Sequence, residues 1–176
     1  EKIAAGRLEV HPSPVVPGEI LTSVGDLFRG TARQRGLQLV VTLGEDLPPV
    51  IHTDPHRLRQ ILQNLVSNAL KFTAAGSVAL HAENAAPGRL RILVRDTGPG
   101  IPPARRKRIF EPYAQGDSLT SREHGGTGLG LPISRQLARL LGGDLTVAPA
   151  TGPGATLVLE LPVEFPSQPP SAAPDA

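Results

Sequence analysis

Hydrophobic residues recur along the chain at two spacings, and each spacing predicts one kind of secondary structure. The clearest helical pattern lies between Asp54 and Thr73, where apolar residues return every three or four positions and form one stripe that must face a core. That stripe consists of Leu58, Ile61, Leu62, Leu65, Val66, Ala69 and Phe72. Asp54 can cap the start and Pro55 suits the first turn, so one long amphipathic helix is predicted here.

The same periodicity predicts further helices and several strands. Helices are expected at 19–35 and 131–141, because apolar residues are helically spaced in both segments and glycines follow both. The apolar side of the first contains Ile20, Val24, Leu27 and Phe28. Residues 1–10 look like the end of a preceding helix, and 103–110 like a short one. Strands are predicted at 37–43, 77–83, 89–96, 144–148 and 155–161, with the second and third forming a hairpin.

Composition narrows the possible classes of protein. The 176 residues are 39% hydrophobic, which is enough for one medium-sized domain with tails, and a net charge of +2 is too small to indicate nucleic-acid binding. The absence of cysteine excludes disulfides and thiolate metal sites. No stretch approaches about 18 consecutive apolar residues, so we expect a soluble segment without membrane contact. A chain that starts with Glu and lacks Met is expected to be part of a longer protein.

A second stripe of side chains runs beside the apolar stripe of the helix at 54–73. It consists of Arg57, Gln60, Asn64, Asn68 and Lys71. Asn is a mediocre helix former that costs about 0.5 kcal/mol in mid-helix, and a solvated edge would more cheaply carry Glu, Lys or Gln. Amide oxygens suit Mg²⁺ and an ammonium suits phosphate, so this edge could hold a metal-nucleotide. A solvated Asn is the alternative for either position alone.

Two glycine-rich segments are further candidate sites. Asp96 ends a predicted strand before Gly98-Pro99-Gly100, where it either caps a turn or accepts from a purine amino group that the glycines let approach. Residues 125–130 precede a helix, and they are either a flexible connection or part of the general anion site that N-terminal helix N–H groups form. They are not a P-loop, because Leu131-Pro132 stand where Lys and Ser or Thr are required. A dinucleotide fingerprint also fails, since its third glycine and preceding strand are missing.

Four segments together resemble the motifs of bacterial sensor histidine kinases. The similarity to the asparagine box lies in N-L-V-S-N-A-L-K-F-T at 64–73, and that to the first glycine box in D-T-G-P-G-I-P at 96–102. The phenylalanine box resembles R-I-F-E-P-Y-A-Q at 108–115, and the second glycine box G-G-T-G-L-G-L at 125–131. Order and separation match as well, and the resemblance covers about residues 19–162.

The resemblance implies a fold and a division of the chain. The fold would be α/β (α+β), the two-layer sandwich of the gyrase and chaperone ATPases known as the Bergerat fold, with a mixed, mostly antiparallel sheet on three helices and a mobile ATP lid. Residues 1–14 would be the end of a phosphoacceptor and dimerisation helix and a linker. Residues 15–163 would form the catalytic and ATP-binding domain, with its lid at about 98–127. Residues 164–176, rich in Pro, Ser and Ala, would be a disordered linker.

The resemblance also implies that ATP and Mg²⁺ are the cofactors. Asn68 would ligate the metal, Asn64 would support the metal-phosphate site and Lys71 would contact phosphate, so these three are the candidate catalytic residues. Asp96 would contact the adenine amino group. The remaining implied nucleotide contacts are Phe72, Gly98, Gly100, Ile101, Phe110, Tyr113, Gly126, Thr127, Gly128, Leu129, Gly130 and Thr156.

Two positions depart from the family pattern. Many relatives carry Arg where this chain has Gln115, which leaves residues 105–108 as candidates for the basic lid residue that reaches the γ-phosphate. Many also carry Ser or Thr where this chain has Ala155, so a hydroxyl that helps hold adenine is either lost or moved to Thr156.

The implied activity is that of the catalytic half of a protein-histidine kinase, which transfers the γ-phosphoryl group to a His on a helical hairpin. None of the five histidines has the family's phosphoacceptor pattern, so that hairpin is expected outside this chain. Two alternatives stay open. One is an ATPase like the chaperones and topoisomerases, which place a Glu base where Asn64 stands. The other is a nucleotide-sensing module that transfers no phosphate.

The implied partners are the hairpin, through which such kinases dimerise, and a receiver domain or response regulator. The segment would lie in the cytoplasm, and the parent protein would be anchored in the inner membrane. The Gln-containing lid and the Pro-rich tail resemble the hybrid subgroup, in which a receiver domain follows.

Overall fold

The structure, a computed structural model, describes residues 8–112, 130–149 and 152–165. Within them lie three α-helices and seven strands, together with two 3₁₀ turns at Pro103–Arg105 and Arg108–Phe110. The helices are α1 (Pro17–Gln34), α2 (Pro55–Phe72) and α3 (Gly130–Leu140). The strands are β1 (Ser13–Val15), β2 (Gln38–Leu43), β3 (Ile51–Thr53), β4 (Ser77–Ala86), β5 (Arg89–Asp96), β6 (Asp144–Val147) and β7 (Thr156–Pro162).

Five strands form one mixed sheet in the order β2-β4-β5-β7-β6. The β2–β4 pair is parallel, and the other three neighbouring pairs are antiparallel. A separate two-stranded ribbon pairs β1 with β3, and this ribbon leads directly into α2. The α/β class, with a mostly antiparallel sheet against three helices, is confirmed.

The core lies between the helices and one face of the sheet. Alternate residues of β4, β5 and β7 are buried while their neighbours are partly exposed, as expected for a sheet with one covered face. Helix α2 is central, because it packs on α1, α3, β4 and β5. Its fully buried residues include Leu58, Ile61, Leu62, Leu65 and Val66. The side chains that flank this buried stripe on α2 therefore lie next to a neighbouring helix.

The predicted elements agree with the structure except at short or irregular segments. The helices at 54–73, 19–35 and 131–141 and the five sheet strands are confirmed, with no end shifted by more than three residues. Strands β1 and β3 were not predicted, because three residues are too few for a periodic signal. The helix predicted at 103–110 is instead the two 3₁₀ turns, and the described part of the predicted helix 1–10, residues 8–10, is not helical.

Two residues assigned to apolar stripes were wrongly predicted to be buried. Leu27 is 59% exposed, because the buried side of α1 runs through Leu21, Val24 and Ala32 and leaves Leu27 outside it. Phe72 is 37% exposed at the last position of α2, where Leu70 instead fills the core. The lid residues at 113–127 and the predicted linker at 166–176 lie outside the described residues.

Candidate functional site

The start of α2 is fixed by one carboxylate. Asp54 Oδ1 accepts from the backbone N–H groups of His56 and Arg57 at 3.0 and 3.1 Å, which is the capping that the sequence predicts. Asp54 Oδ2 accepts from the backbone N–H of His11 at 2.9 Å and so ties the incoming chain to the same point. This cap sets where α2 begins and therefore which side chains share its polar edge.

Asn64 lies on that edge, half-buried, and its amide nitrogen is fully used. Nδ2 donates to the carbonyl oxygen of Gly130 and, at 2.6 Å, to Oγ of Ser134. A primary amide has two N–H groups, so both are taken by the first two turns of α3. Among the described residues no donor reaches Asn64 Oδ1, which leaves this oxygen as the free part of the side chain.

Asn68 and Lys71 follow Asn64 along the same edge at intervals of one turn. Asn68 is half-buried, and its side chain makes no hydrogen bond with another described residue. Lys71 Nζ lies 5.4 Å from the centroid of the Phe72 ring, a cation–π contact at the end of the helix. The edge thus presents amide oxygens followed by an ammonium, in the order that the sequence predicts.

Asp96 ends β5 and uses one carboxylate oxygen to hold the loop around it. Oδ1 accepts from the backbone N–H of Gly98 at 2.9 Å and from that of Ala155 at 3.3 Å. The Asp96 N–H donates in turn to the Ala155 carbonyl at 2.9 Å. Both described donors are on Oδ1, so Oδ2 is the oxygen that remains for a ligand amino group.

The glycines after Asp96 bring this carboxylate to the end of α2. A Cβ at Gly98 would lie 3.0 Å from the carbonyl oxygen of Phe72 and 3.1 Å from Asp96 Oδ1, so a larger residue would crowd both. Gly100 has φ +79°, a conformation that favours glycine. The turn therefore joins the two parts of the predicted site, the base-contacting acid and the end of the Asn-bearing helix.

A cavity of about 270 Å³ opens beside Asp96. Its lining includes Asp96, Ile101, Arg106, Ala148, Gly154 and Thr156. Of the basic candidates at 105–108, Arg106 is the one that lines this cavity. It is half-buried, and its Nε has no hydrogen-bond partner among the residues that the structure describes, while the other three candidates are exposed. Thr156 Oγ1 accepts from Arg95 Nε at 3.3 Å. Its hydroxyl is thus engaged within the sheet, and its contact with adenine stays a prediction.

Phe110, at the root of the predicted lid, packs against α3. The guanidinium of Arg135 lies 4.6 Å from the centroid of the Phe110 ring, and Arg135 Nε donates to Asp144 Oδ1 at 3.1 Å. Arg139 Nε donates to the same oxygen at 3.2 Å. Partial burial raises the pKa of Asp144. The hydrogen bonds from Arg135 and from the Leu145 N–H, together with the nearby guanidinium charges, lower it by more. The pKa of Asp144 therefore lies below its ordinary value.

Several predicted site residues lie outside the described part of the chain. They are Tyr113, Gly126, Thr127, Gly128 and Leu129, together with the departure at Gln115. Gly130, the first residue of α3, is described, and its carbonyl contacts Asn64. Ser134 and Arg135 were not predicted to belong to the site. Ser134 could have been noticed, because it is a polar residue on the apolar side of a helix.

The donor set fits Mg²⁺ better than a metal held by a closed protein cage. No group of three or more His, Cys, Asp or Glu residues that could hold a metal occurs within the described ranges. Mg²⁺ is commonly bound through few protein oxygens together with water and substrate phosphates. The amide oxygens of Asn64 and Asn68, which precede Lys71 along one edge of α2, match that mode of binding.

Comparisons with known proteins agree with this geometry. Residues 53–165 match the family described as histidine kinase-, DNA gyrase B- and HSP90-like ATPases, and the chain belongs to that family. It is 39% identical over 168 residues to the autoinducer 2 sensor kinase/phosphatase LuxQ of Vibrio harveyi, covering 93% of this chain and 20% of LuxQ. It is 36% identical over 159 residues to the signal transduction histidine-protein kinase BarA of Escherichia coli (strain K12), covering 88% of this chain and 17% of BarA.

Solved structures lead to the same class. Full-length ShkA in complex with AMPPNP matches with a TM-score of 0.82 and 38% identity, over 98% of this chain and 35% of that one. The nucleotide-free catalytic domain of histidine kinase ThkA matches with a TM-score of 0.74 and 26% identity, over 88% of this chain and 99% of that one. Within its family the chain is thus a histidine kinase catalytic domain.

The chain spans about a fifth of the length of LuxQ and BarA. Within residues 8–112, 130–149 and 152–165, no helix combines the length and the apolar character needed to cross a bilayer.

Proposed function

We propose that this chain binds Mg²⁺-ATP between α2, the Asp96 turn and the start of α3, and transfers the γ-phosphoryl group to a His on a helical hairpin. The proposal rests on one observation, the contact between the Asp96 turn and the end of α2. Gly98 packs against both Asp96 and the end of α2, so an acid suited to a purine amino group lies beside a helix edge suited to a metal-phosphate.

At the base end, Asp96 is oriented before the nucleotide arrives. The two N–H groups on Oδ1 hold the carboxylate and direct Oδ2 to the ligand. A carboxylate accepts from the 6-amino group of adenine, whereas a 6-oxo purine would present another acceptor there. The cavity beside Asp96, with Ile101 as an apolar part of its lining, supplies room for the ring.

At the phosphate end, Asn68 would provide the metal ligand and Asn64 would support it. When bound, Mg²⁺ would neutralise charge on the phosphate oxygens during transfer. Lys71 adds a positive charge, and the N-terminus of α3 adds backbone dipoles. These groups act by position and charge, which is the main contribution of a protein to phosphoryl transfer.

Transfer to a protein side chain is favoured over hydrolysis by the identity of one residue. An efficient ATPase needs a base that takes a proton from water, and the amide of Asn64 cannot do this. Both of its N–H groups are also engaged by α3, so the side chain is held as part of the scaffold. We therefore expect slow hydrolysis by the chain alone.

The test has two stages. Calorimetry with ATP, with and without Mg²⁺, should show binding that the metal strengthens, and Asn68→Ala should remove most of that strengthening. Asn84→Ala, on the exposed surface of β4, is the matched control. In the second stage, the chain joined to a hairpin should place label from γ-labelled ATP on a His.

The possible outcomes separate the alternatives. Rapid release of phosphate without the hairpin would support the hypothesis that the chain is an ATPase. Nucleotide binding with neither label transfer nor hydrolysis would support a sensing module, and absence of nucleotide binding would refute all three. In the whole protein, dimerisation through the hairpin and onward transfer to a receiver domain or response regulator belong to the same proposal, as does a cytoplasmic position beside the inner membrane.

A further inference from the structure

We propose that Ser134 is a positioning residue for the metal site, acting through Asn64. This inference rests on the proposed function, because it concerns how the Asn64 oxygen is presented to Mg²⁺. Ser134 is 1% exposed, lies on the face of α3 that packs against α2, and places its Oγ 2.6 Å from Asn64 Nδ2.

The hydrogen-bond roles follow from the chemistry of the two groups. An amide nitrogen only donates, so the Ser134 hydroxyl oxygen must be the acceptor. The carbonyl of Gly130 also only accepts, and it takes the other N–H of the same amide. With Nδ2 held at two points, the amide plane is fixed, and the position of Oδ1 is fixed with it.

A third observation shows how tightly this arrangement is built. A Cβ at Gly130 would lie 2.6 Å from Asn64 Oδ1 and 3.0 Å from its Nδ2, so α3 approaches the amide at a distance that only glycine permits at this position. Asn68, one turn further along α2, has no comparable support among the described residues. Asn64 is therefore the anchored amide of the pair, and Ser134 supplies one of its two anchors.

The first experiment detects the hydrogen bond from Asn64 to Ser134 in the absence of nucleotide. In the nucleotide-free chain, the side-chain NH₂ protons of Asn64 should exchange slowly with water in ¹⁵N NMR spectra, with the signal assigned by its loss in Asn64→Ala. Ser134→Ala should make that exchange several-fold faster. Ser134→Cys should do the same while keeping the volume filled, because sulfur is a weak acceptor. Ala138→Gly, one turn along the buried side of α3, is the control and should leave the signal unchanged.

The second experiment measures how much Mg²⁺ strengthens ATP binding. Ser134→Ala should lower the factor by which Mg²⁺ strengthens ATP binding by about two- to tenfold, the range of one hydrogen bond, and leave metal-free binding unchanged. In an Asn64→Ala background the same substitution should have no further effect, because the residue it acts through is gone. Ala138→Gly should lower the melting temperature without changing the Mg²⁺ factor.

The outcomes distinguish this inference from the proposed function. If the chain does not bind ATP, the proposed function fails, while the NMR result still decides whether Ser134 holds Asn64. The inference is overturned if the Asn64 NH₂ exchange is unchanged in both Ser134 variants. It is also overturned if Ser134→Ala weakens binding equally with and without metal, or if its effect persists in the absence of the Asn64 side chain.

Discussion

Replacing Asp96 by Asn separates the structural role of this carboxylate, which holds the loop, from the role in base binding that we propose for it. Oδ1 accepts from the N–H groups of Gly98 and Ala155, and Oδ2 is left for the base. An Asn can keep its oxygen on the two N–H groups, but it then presents an NH₂ group to the 6-amino group of adenine. Turning the amide over would place that NH₂ group against two backbone donors, so the first orientation is strongly preferred.

The magnitude follows from the bonds that change. The two loop bonds lose their charge assistance but persist, which costs about 1–2 kcal/mol of folding free energy and lowers the melting temperature by about 2–8 °C in a domain of this size. At the base, a hydrogen bond to a charged group worth about 1.5–3 kcal/mol is replaced by two facing donors. ATP affinity should therefore fall at least about 10- to 150-fold.

The assay compares ATP with inosine triphosphate by calorimetry. The unmodified chain should prefer ATP, because Asp96 Oδ2 faces an amino group in one ligand and an oxygen in the other. Asp96→Asn should reduce or reverse that preference while the chain stays folded. Asp46→Asn, at an exposed loop position, removes the same charge and should change neither affinity. A folded Asp96→Asn chain that binds ATP with unchanged affinity would refute the assigned base pocket.

Two further predictions concern α3. The pKa of Asp144 is lowered in the folded chain, so its bonds to Arg135 and Arg139 contribute stability that is complete above the ordinary pKa of 3.8 and is lost as the pH falls through the lower folded value. Because the Asp144 side chain is 41% exposed, these bonds contribute about 1 kcal/mol or less. In urea unfolding, the free energies of unfolding of Asp144→Asn and of the unmodified chain should therefore converge as the pH drops below 3.8. Gly130→Ala should lower the melting temperature and weaken Mg²⁺-ATP binding, because its Cβ would lie 2.6 Å from Asn64 Oδ1 and displace that side chain; a raised melting temperature with unchanged Mg²⁺-ATP binding would contradict this.

The parts of the fold that were predictable are those that depend on local spacing. The buried stripe of α2, its Asp54 cap and the order of amides and ammonium along its edge follow from helix geometry alone. The strand order and the parallel β2–β4 pair do not, since they are set by contacts between distant segments. The exposure of Phe72 was missed for a related reason, because periodicity cannot tell where a helix extends past the core it packs on.

The sequence indicates candidate site residues but not the contacts between them. Asn64 stood out because Asn is a mediocre helix former in mid-helix, and Asp96 because it ends a strand before a glycine-rich turn. The bond from Asn64 to Ser134 joins residues 70 positions apart, and nothing in either local sequence indicates it. The orientation of Asp96 likewise depends on Ala155, 59 residues away, whose backbone rather than side chain makes the contact.

We propose that one cleft binds both ends of Mg²⁺-ATP, and a crystal structure of this chain with AMPPNP and Mg²⁺ would show whether it does. We expect the metal to be bound to the Asn68 side-chain oxygen and the adenine amino group to Asp96 Oδ2, with Asn64 still donating to α3. A nucleotide bound elsewhere on the molecule, or one in this cleft with its base turned away from Asp96, would refute the proposal.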